Sequence, residues 1–125
     1  MPAAPADSAI YRRLFSEDDS ARLFSDSAEL RAMLLVEGAL AQVQGQLGLI
    51  PADAAAFIHR AALEVQLDPS ALAAETAING VPVPGFVAAF RNAMNAPDFA
   101  QYVHWGATSQ DIMETALILR LRQLT

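Results

Sequence analysis

The sequence predicts an all-α fold, and three observations carry that prediction. Composition is the first: 26 Ala and 15 Leu stand against 17 β-branched residues (Val, Ile and Thr together). Ala and Leu lose little freedom in a helix, whereas β-branched side chains lose more against the preceding turn. Spacing is the second, because apolar residues recur at helical intervals and no segment makes a convincing strand. Punctuation is the third: capping residues open the periodic runs, and Gly or Pro closes them.

The opening residues 1–10, MPAAPADSAI, lack the basic and apolar regions of a secretory signal and read as a flexible tail. Tyr11 to Phe15 suits a short helix. Ser16-Glu-Asp-Asp-Ser20 then supplies N-cap residues and acid for a second one over Asp19 to Phe24. The clearest helix runs from Ser27 to Leu47, with Leu30, Met33, Leu34, Leu40, Ala41 and Leu47 on one face. Leu30, Leu34, Leu40 and Leu47 are expected at the centre of the core. Asp26 with Glu29 resembles a capping box, and Gly48 suits the position just past a helix end. Glu37 falls inside the apolar seam, where a carboxylate is either a buried acid or base, or paired, or at the seam's edge.

Pro51 opens a helix through Leu63, since proline suits the first helical turn. Asp68-Pro69-Ser70 opens another, closed by Asn79-Gly80. Val81-Pro-Val-Pro-Gly85 is expected to be extended, because proline biases its predecessor away from the α region. A helix over Phe86 to Met94 follows, and Asn95-Ala-Pro97 breaks it. The last helix starts near Ser109, with Ile112, Ala116, Leu117, Leu121 and Leu124 expected on one face. That stripe is still running at Thr125 without a C-cap glycine, which points to a helix that continues.

Composition also excludes chemistry. No Cys is present, which removes disulfides, thiolate catalysis and Cys-based metal sites. Two His residues make a His-rich metal centre an unpromising reading, and nothing in the chain asks for a metal or another cofactor. All eight basic residues are Arg, so neither a Schiff-base lysine nor a phosphate-loop lysine is available. A net charge of −6 argues against nucleic acid, which needs a basic surface. No apolar run approaches the 18 or more residues of a membrane span, and a cytoplasmic location is expected. At 54% apolar, the chain holds more such residues than a small domain readily hides, which suggests a covered partner surface.

One segment concentrates chemistry: Tyr102-Val-His-Trp-Gly-Ala-Thr-Ser-Gln-Asp111. Here a glycine-containing loop meets a helix start, where free N–H groups and the helix dipole favour an anion. Thr108 and Ser109 add hydroxyl donors, His104 can donate or exchange a proton, and Gly106 lets backbone approach a ligand. The chemistry this suggests is recognition of a carboxylate or phosphate. The competing reading is that Thr108 or Ser109 is simply an N-cap, with Asp111 in the first turn for the dipole. Trp105 reads as a core or interface anchor, and His59 as a surface or boundary residue.

His104-Trp-Gly-Ala-Thr-Ser-Gln-Asp-Ile112, continuing Met-Glu-Thr-Ala116, resembles the first signature region of the fumarase/aspartase superfamily. Within it the similarity is to the 3-carboxy-cis,cis-muconate cycloisomerase family. Phe24-Ser-Asp26, Met33-Leu-Leu-Val-Glu37, Ala39-Leu-Ala41 and Leu47-Gly-Leu-Ile-Pro51 resemble the N-terminal region of that family. The similarity spans nearly the whole chain after the first ten residues. It implies an N-terminal helical domain over residues 11–107, with residues 108–125 as the first turns of a truncated central-bundle helix.

The resemblance also implies a reversible lactone-forming isomerisation of a tricarboxylate in the catabolism of aromatic acids, without cofactor or metal. Thr108, Ser109 and Gln110 would bind substrate, His104 would take a catalytic place lining the site, and Gly106 and Asp111 would shape the turn. Family sites are assembled at subunit contacts of a homotetramer from three separated regions. The Gly-Ser-Ser loop of another region does not occur in this sequence. The chain alone is therefore expected to be inactive and to self-associate. Adenylosuccinate lyase is the runner-up in the superfamily, but Leu14-Phe15 stand where that enzyme carries an Arg-Tyr pair for its nucleotide. A small helical interaction module is the alternative outside the superfamily, though it would have no reason to keep the His104–Asp111 string.

Overall fold

A computed structural model describes residues 4, 7–15 and 17–125 of the chain. Ser16 and residues 1–3, 5 and 6 of the expected tail lie outside the described residues. Among the described residues there are eight α-helices and no strand: α1 (Arg12–Phe15), α2 (Asp18–Leu23), α3 (Asp26–Gln46), α4 (Ala52–Glu64), α5 (Ala73–Asn79), α6 (Val83–Met94), α7 (Pro97–Ala100) and α8 (Ser109–Leu124). A 3-10 turn, Pro69–Leu72, leads into α5. The all-α prediction therefore holds.

The 21-residue α3 is the axis of the molecule, and it packs chiefly on α4 and α8. Its start is capped one residue earlier than the sequence suggested. Ser25, rather than Asp26, accepts from the Ala28 N–H at 3.2 Å. Its end is as expected: Gly48 takes φ +76°, and the Leu49 N–H reaches back to the Gln44 carbonyl at 2.9 Å. This reversal sends the chain into α4, which approaches α3 closely. A methyl on Gly38 would lie 2.8 Å from the Ala62 Cβ, and one on Gly45 would overlap Ala55. Each mid-helix glycine costs about 1 kcal/mol relative to Ala, which the tight α3–α4 seam offsets.

Two stretches depart from expectation for clear physical reasons. Val83, Pro84 and Gly85 are the first turn of α6 instead of an extended strand-like link. A proline there loses nothing, because first-turn N–H groups have no intrahelical acceptor, and Val83 is anchored in the core at 1% exposure. In α3, Leu30 and Leu34 are buried as expected, but Leu47 is 68% exposed and Leu40 only half-buried. Leu47 is the C-cap, past the turns that α4 covers, and Leu40 lines an open cleft.

The core contains Met33, Ile58, Phe86, Phe90, Val103 and Ile112, with the Phe86 and Phe90 rings stacked at 6.2 Å. On α8 the expected single stripe divides. Ile112, Ala116 and the stem of Arg120 turn inward, whereas Leu117, Ile118, Leu121 and Leu124 stay exposed. The spacing of four places the first three on one face towards α3, and Leu117 and Leu121 fall beside it. The Arg120 guanidinium lies over the Phe24 ring at 5.5 Å and its Nε donates to the Ala116 carbonyl.

These burial differences predict a split mutational response. Leu34→Ala should cost roughly 2–5 kcal/mol of stability, whereas Leu47→Ala should stay within about 0.5 kcal/mol. Denaturant unfolding of the two variants checks the contrast, and equal losses would contradict the assigned core.

A candidate active-site loop

The loop between α7 and α8 is held by three side chains from elsewhere in the chain, acting on three successive residues. Arg91 Nη2 on α6 donates to the Val103 carbonyl at 2.9 Å. Glu37 Oε1 on α3 meets His104 Nδ1 at 2.7 Å. Gln44 Nε2, two turns further along α3, donates to the Trp105 carbonyl at 2.6 Å. Glu37 and Gln44 are seven residues apart, which puts them on the same helix face.

The backbone they hold is unusual. His104 has φ +65° and Gly106 φ +71°. For glycine that conformation is free of penalty, but for histidine it costs of order 1–3 kcal/mol and persists only where surroundings enforce it. The Glu37 contact and the flanking carbonyl bonds supply that enforcement. Tyr102 and Trp105 sit with ring centroids 5.2 Å apart, and Trp105 is 47% exposed, so it is no core anchor within this chain.

The loop delivers the chain into α8 through a complete capping box. Thr108 Oγ1 accepts from the Asp111 N–H at 3.3 Å, and Asp111 Oδ2 accepts from the Thr108 N–H at 3.0 Å. Those bonds to Thr108 hold the Asp111 carboxyl below the usual carboxylate range. Thr108 is therefore an N-cap, and its side chain also bonds the Asp111 carboxyl. The Ser109 side chain is half-buried and makes no hydrogen bond among the described residues, while Gln110 Nε2 donates to Glu114 at 2.6 Å. Residues 104–111 thus share one edge of the molecule, beside a 260 Å³ cleft lined by Gln44, Trp105, Gly106 and Asp111 among others. His104, Thr108 and Ser109 lie outside that cleft. His59 sits on α4, and its side chain makes no hydrogen bond among the described residues.

Sequence reasoning placed Glu37 in the apolar seam without finding its partner, and it missed Gln44 and Arg91. The shared face of Glu37 and Gln44 was the available signal for the first two. Arg91 carried none, because its bond to the loop spans two helices. Glu37 is only 1% exposed, its Oε2 has no partner among the described residues, and burial pushes its pKa up against the opposing pull of His104 and Arg91.

That shift sets a sign for pH dependence. Above the ordinary value of 4.5, the folded chain keeps a proton on Glu37 that the unfolded chain has released. Stability from this group is therefore lost as pH rises through that window. The melting temperature of wild type minus that of Glu37→Gln should fall as pH increases above 4.5. A difference that stays flat, or rises, would contradict the shift.

No protein-family model matches the chain. A 3-carboxy-cis,cis-muconate cycloisomerase of Acinetobacter baylyi is 44% identical over 119 residues, which are 92% of this chain and 26% of that protein. An N-acetyl-S-(2-succino)cysteine lyase of Enterococcus italicus is 37% identical over 116 residues, 93% of this chain and 25% of its own length. The crystal structure of β-carboxy-cis,cis-muconate cycloisomerase from Acinetobacter calcoaceticus matches with a TM-score of 0.85 and 43% identity, covering 91% of this chain and 27% of that one. The chain spans about a quarter of the length of these relatives. Over that quarter it is similar in sequence and in all-α fold to 3-carboxy-cis,cis-muconate cycloisomerases, and similar in fold to a fumarate lyase of Mesorhizobium.

Proposed function

We propose that the chain is the N-terminal portion of a cytoplasmic cycloisomerase and supplies a carboxylate-binding wall of its active site. The reaction interconverts 3-carboxy-cis,cis-muconate and its carboxymuconolactone within aromatic-acid catabolism. In this reading residues 11–107 are the N-terminal helical domain, and residues 108–125 begin a central-bundle helix of a homotetramer with shared sites. The observation that carries it is the pinned loop ending in the capped start of α8. That junction presents the Thr108 and Ser109 hydroxyls together with the first-turn N–H groups.

The chemistry suits such a junction. A carboxylate oxygen adds across a double bond of the muconate, and a proton reaches the carbon next to another carboxylate. Negative charge builds on that second carboxylate, where fixed donors stabilise it without reorganising. Thr108, Ser109 and Gln110 bind the substrate carboxylate, and His104 takes part in binding or proton transfer. Gly106 and Asp111 shape the turn, and the catalytic base comes from another region. An adenylosuccinate-type substrate is less well supported, because Leu14 and Phe15 offer no guanidinium or phenol to a nucleotide.

A chimera tests the reading: this chain replaces the matching quarter of the Acinetobacter baylyi cycloisomerase, and lactone formation is measured. Turnover should persist. Changing both Thr108 and Ser109 to Ala should then lower kcat/KM on the order of 10²- to 10⁴-fold, since each hydrogen bond to a charged group is worth roughly 1.5–3 kcal/mol. Loss of the cap accounts for about 1 kcal/mol of stability and shows separately as a lower melting temperature. A folded double variant with near-normal turnover would leave Thr108 as a cap and nothing more.

The 125-residue chain by itself is expected to be inactive and to self-associate through the exposed Leu117, Ile118, Leu121 and Leu124 of α8. Light scattering that shows a clean monomer at high concentration would count against that association.

A further inference from the structure

We infer that Glu37 is a positioning residue: its carboxylate keeps a proton on His104 Nδ1 and so leaves Nε2 as the ring nitrogen open to a ligand. Three features lead there. The Nδ1–Oε1 separation of 2.7 Å is that of a strong hydrogen bond, made between residues 67 apart in sequence. The Glu37 side chain is fully buried and the His104 side chain 17% exposed, and the ring makes no other hydrogen bond among the described residues. The imidazole cannot swing to another partner cheaply, because the Val103 and Trp105 carbonyls on either side are bonded to Arg91 and Gln44.

Once Glu37 has released its proton its carboxylate only accepts, so a neutral His104 facing it must carry its proton on Nδ1. The ring then presents an acceptor at Nε2, or a donor there once protonated, along a direction set by α3. This deepens the role proposed for His104 and rests on that reading for its use, though the tautomer itself does not depend on it. A purely structural contact would hold the ring with either nitrogen protonated, which is what separates the two possibilities.

The chain contains two histidines, so selective ¹⁵N labelling gives an assignable spectrum, with His59 as the internal reference. Long-range ¹H–¹⁵N correlations are recorded at a pH of about 8, where an unperturbed imidazole is neutral. His104 is expected as a single Nδ1–H tautomer. Glu37→Gln should lose that selection and give a mixture, because a carboxamide can offer the ring either its oxygen or its NH₂. A wild-type His104 that is mainly Nε2–H overturns the inference, whether or not the variant folds. So does a folded Glu37→Gln variant whose tautomer is unchanged. Full turnover of a His104→Gln chimera alongside an Nδ1–H wild type would support the positioning by Glu37 and overturn the catalytic use of His104. The two ideas therefore fail separately.

Discussion

The contact between Glu37 and His104 is the constraint on which the arrangement of the candidate site depends. Each partner is unfavourable by itself. A carboxylate with no solvent costs several kcal/mol unless paired, and a histidine in the left-handed region is strained. Together they offset one another. The ring gives the buried oxygen a donor, and the bond to the oxygen fixes the ring where the backbone would not place it unaided. Removing either partner exposes the cost of the other, which makes the pair an effective lock on loop geometry.

The lock works only because α3 is itself accurately placed. Its glycines, Gly38 and Gly45, let α4 come within contact of its backbone, and α8 packs on it as well. A helix buried from two sides has little freedom to rotate, so the polar side chains on its remaining face point in a fixed direction. Glu37 and Gln44 are such side chains. Through them the packing of α3 on α4 is transmitted to residues 103–105, and from there to the first turn of α8.

Much of this was legible in the sequence, and what was hidden was hidden for identifiable reasons. Helix positions followed from periodicity and punctuation; Gly48 and Gly80 both end helices with positive φ, at 76° and 77°. The Val83–Gly85 turn runs against the local proline preference because burying Val83 provides a tertiary anchor that no local pattern contains. Leu47 was assigned to the core because periodicity marks a face but says nothing about how far a neighbour covers it. The α8 stripe divided for the same reason. At the candidate site, the motif marked residues 104–111, yet its supports came from α3 and α6. Pairings across 67, 61 and 12 residues leave almost no trace in local pattern.

The capping box sharpens how the N-cap reading and the binding reading of Thr108 relate. The two are not exclusive, because a hydroxyl has both lone pairs and a proton. In the structure Thr108 uses a lone pair to accept the Asp111 N–H. That bond restricts rotation about the side chain, which also bonds the Asp111 carboxyl. Asp111, bonded back to the Thr108 N–H, keeps its charge, yet its oxygen is occupied by the cap. The cap is therefore what fixes the place of the hydroxyl. In the proposed role, an anion arriving at this end of α8 would meet a hydroxyl already held in place, next to N–H groups with no intrahelical partner. In the proposed role, capping and recognition would be two uses of one group, the first making the second cheaper in entropy.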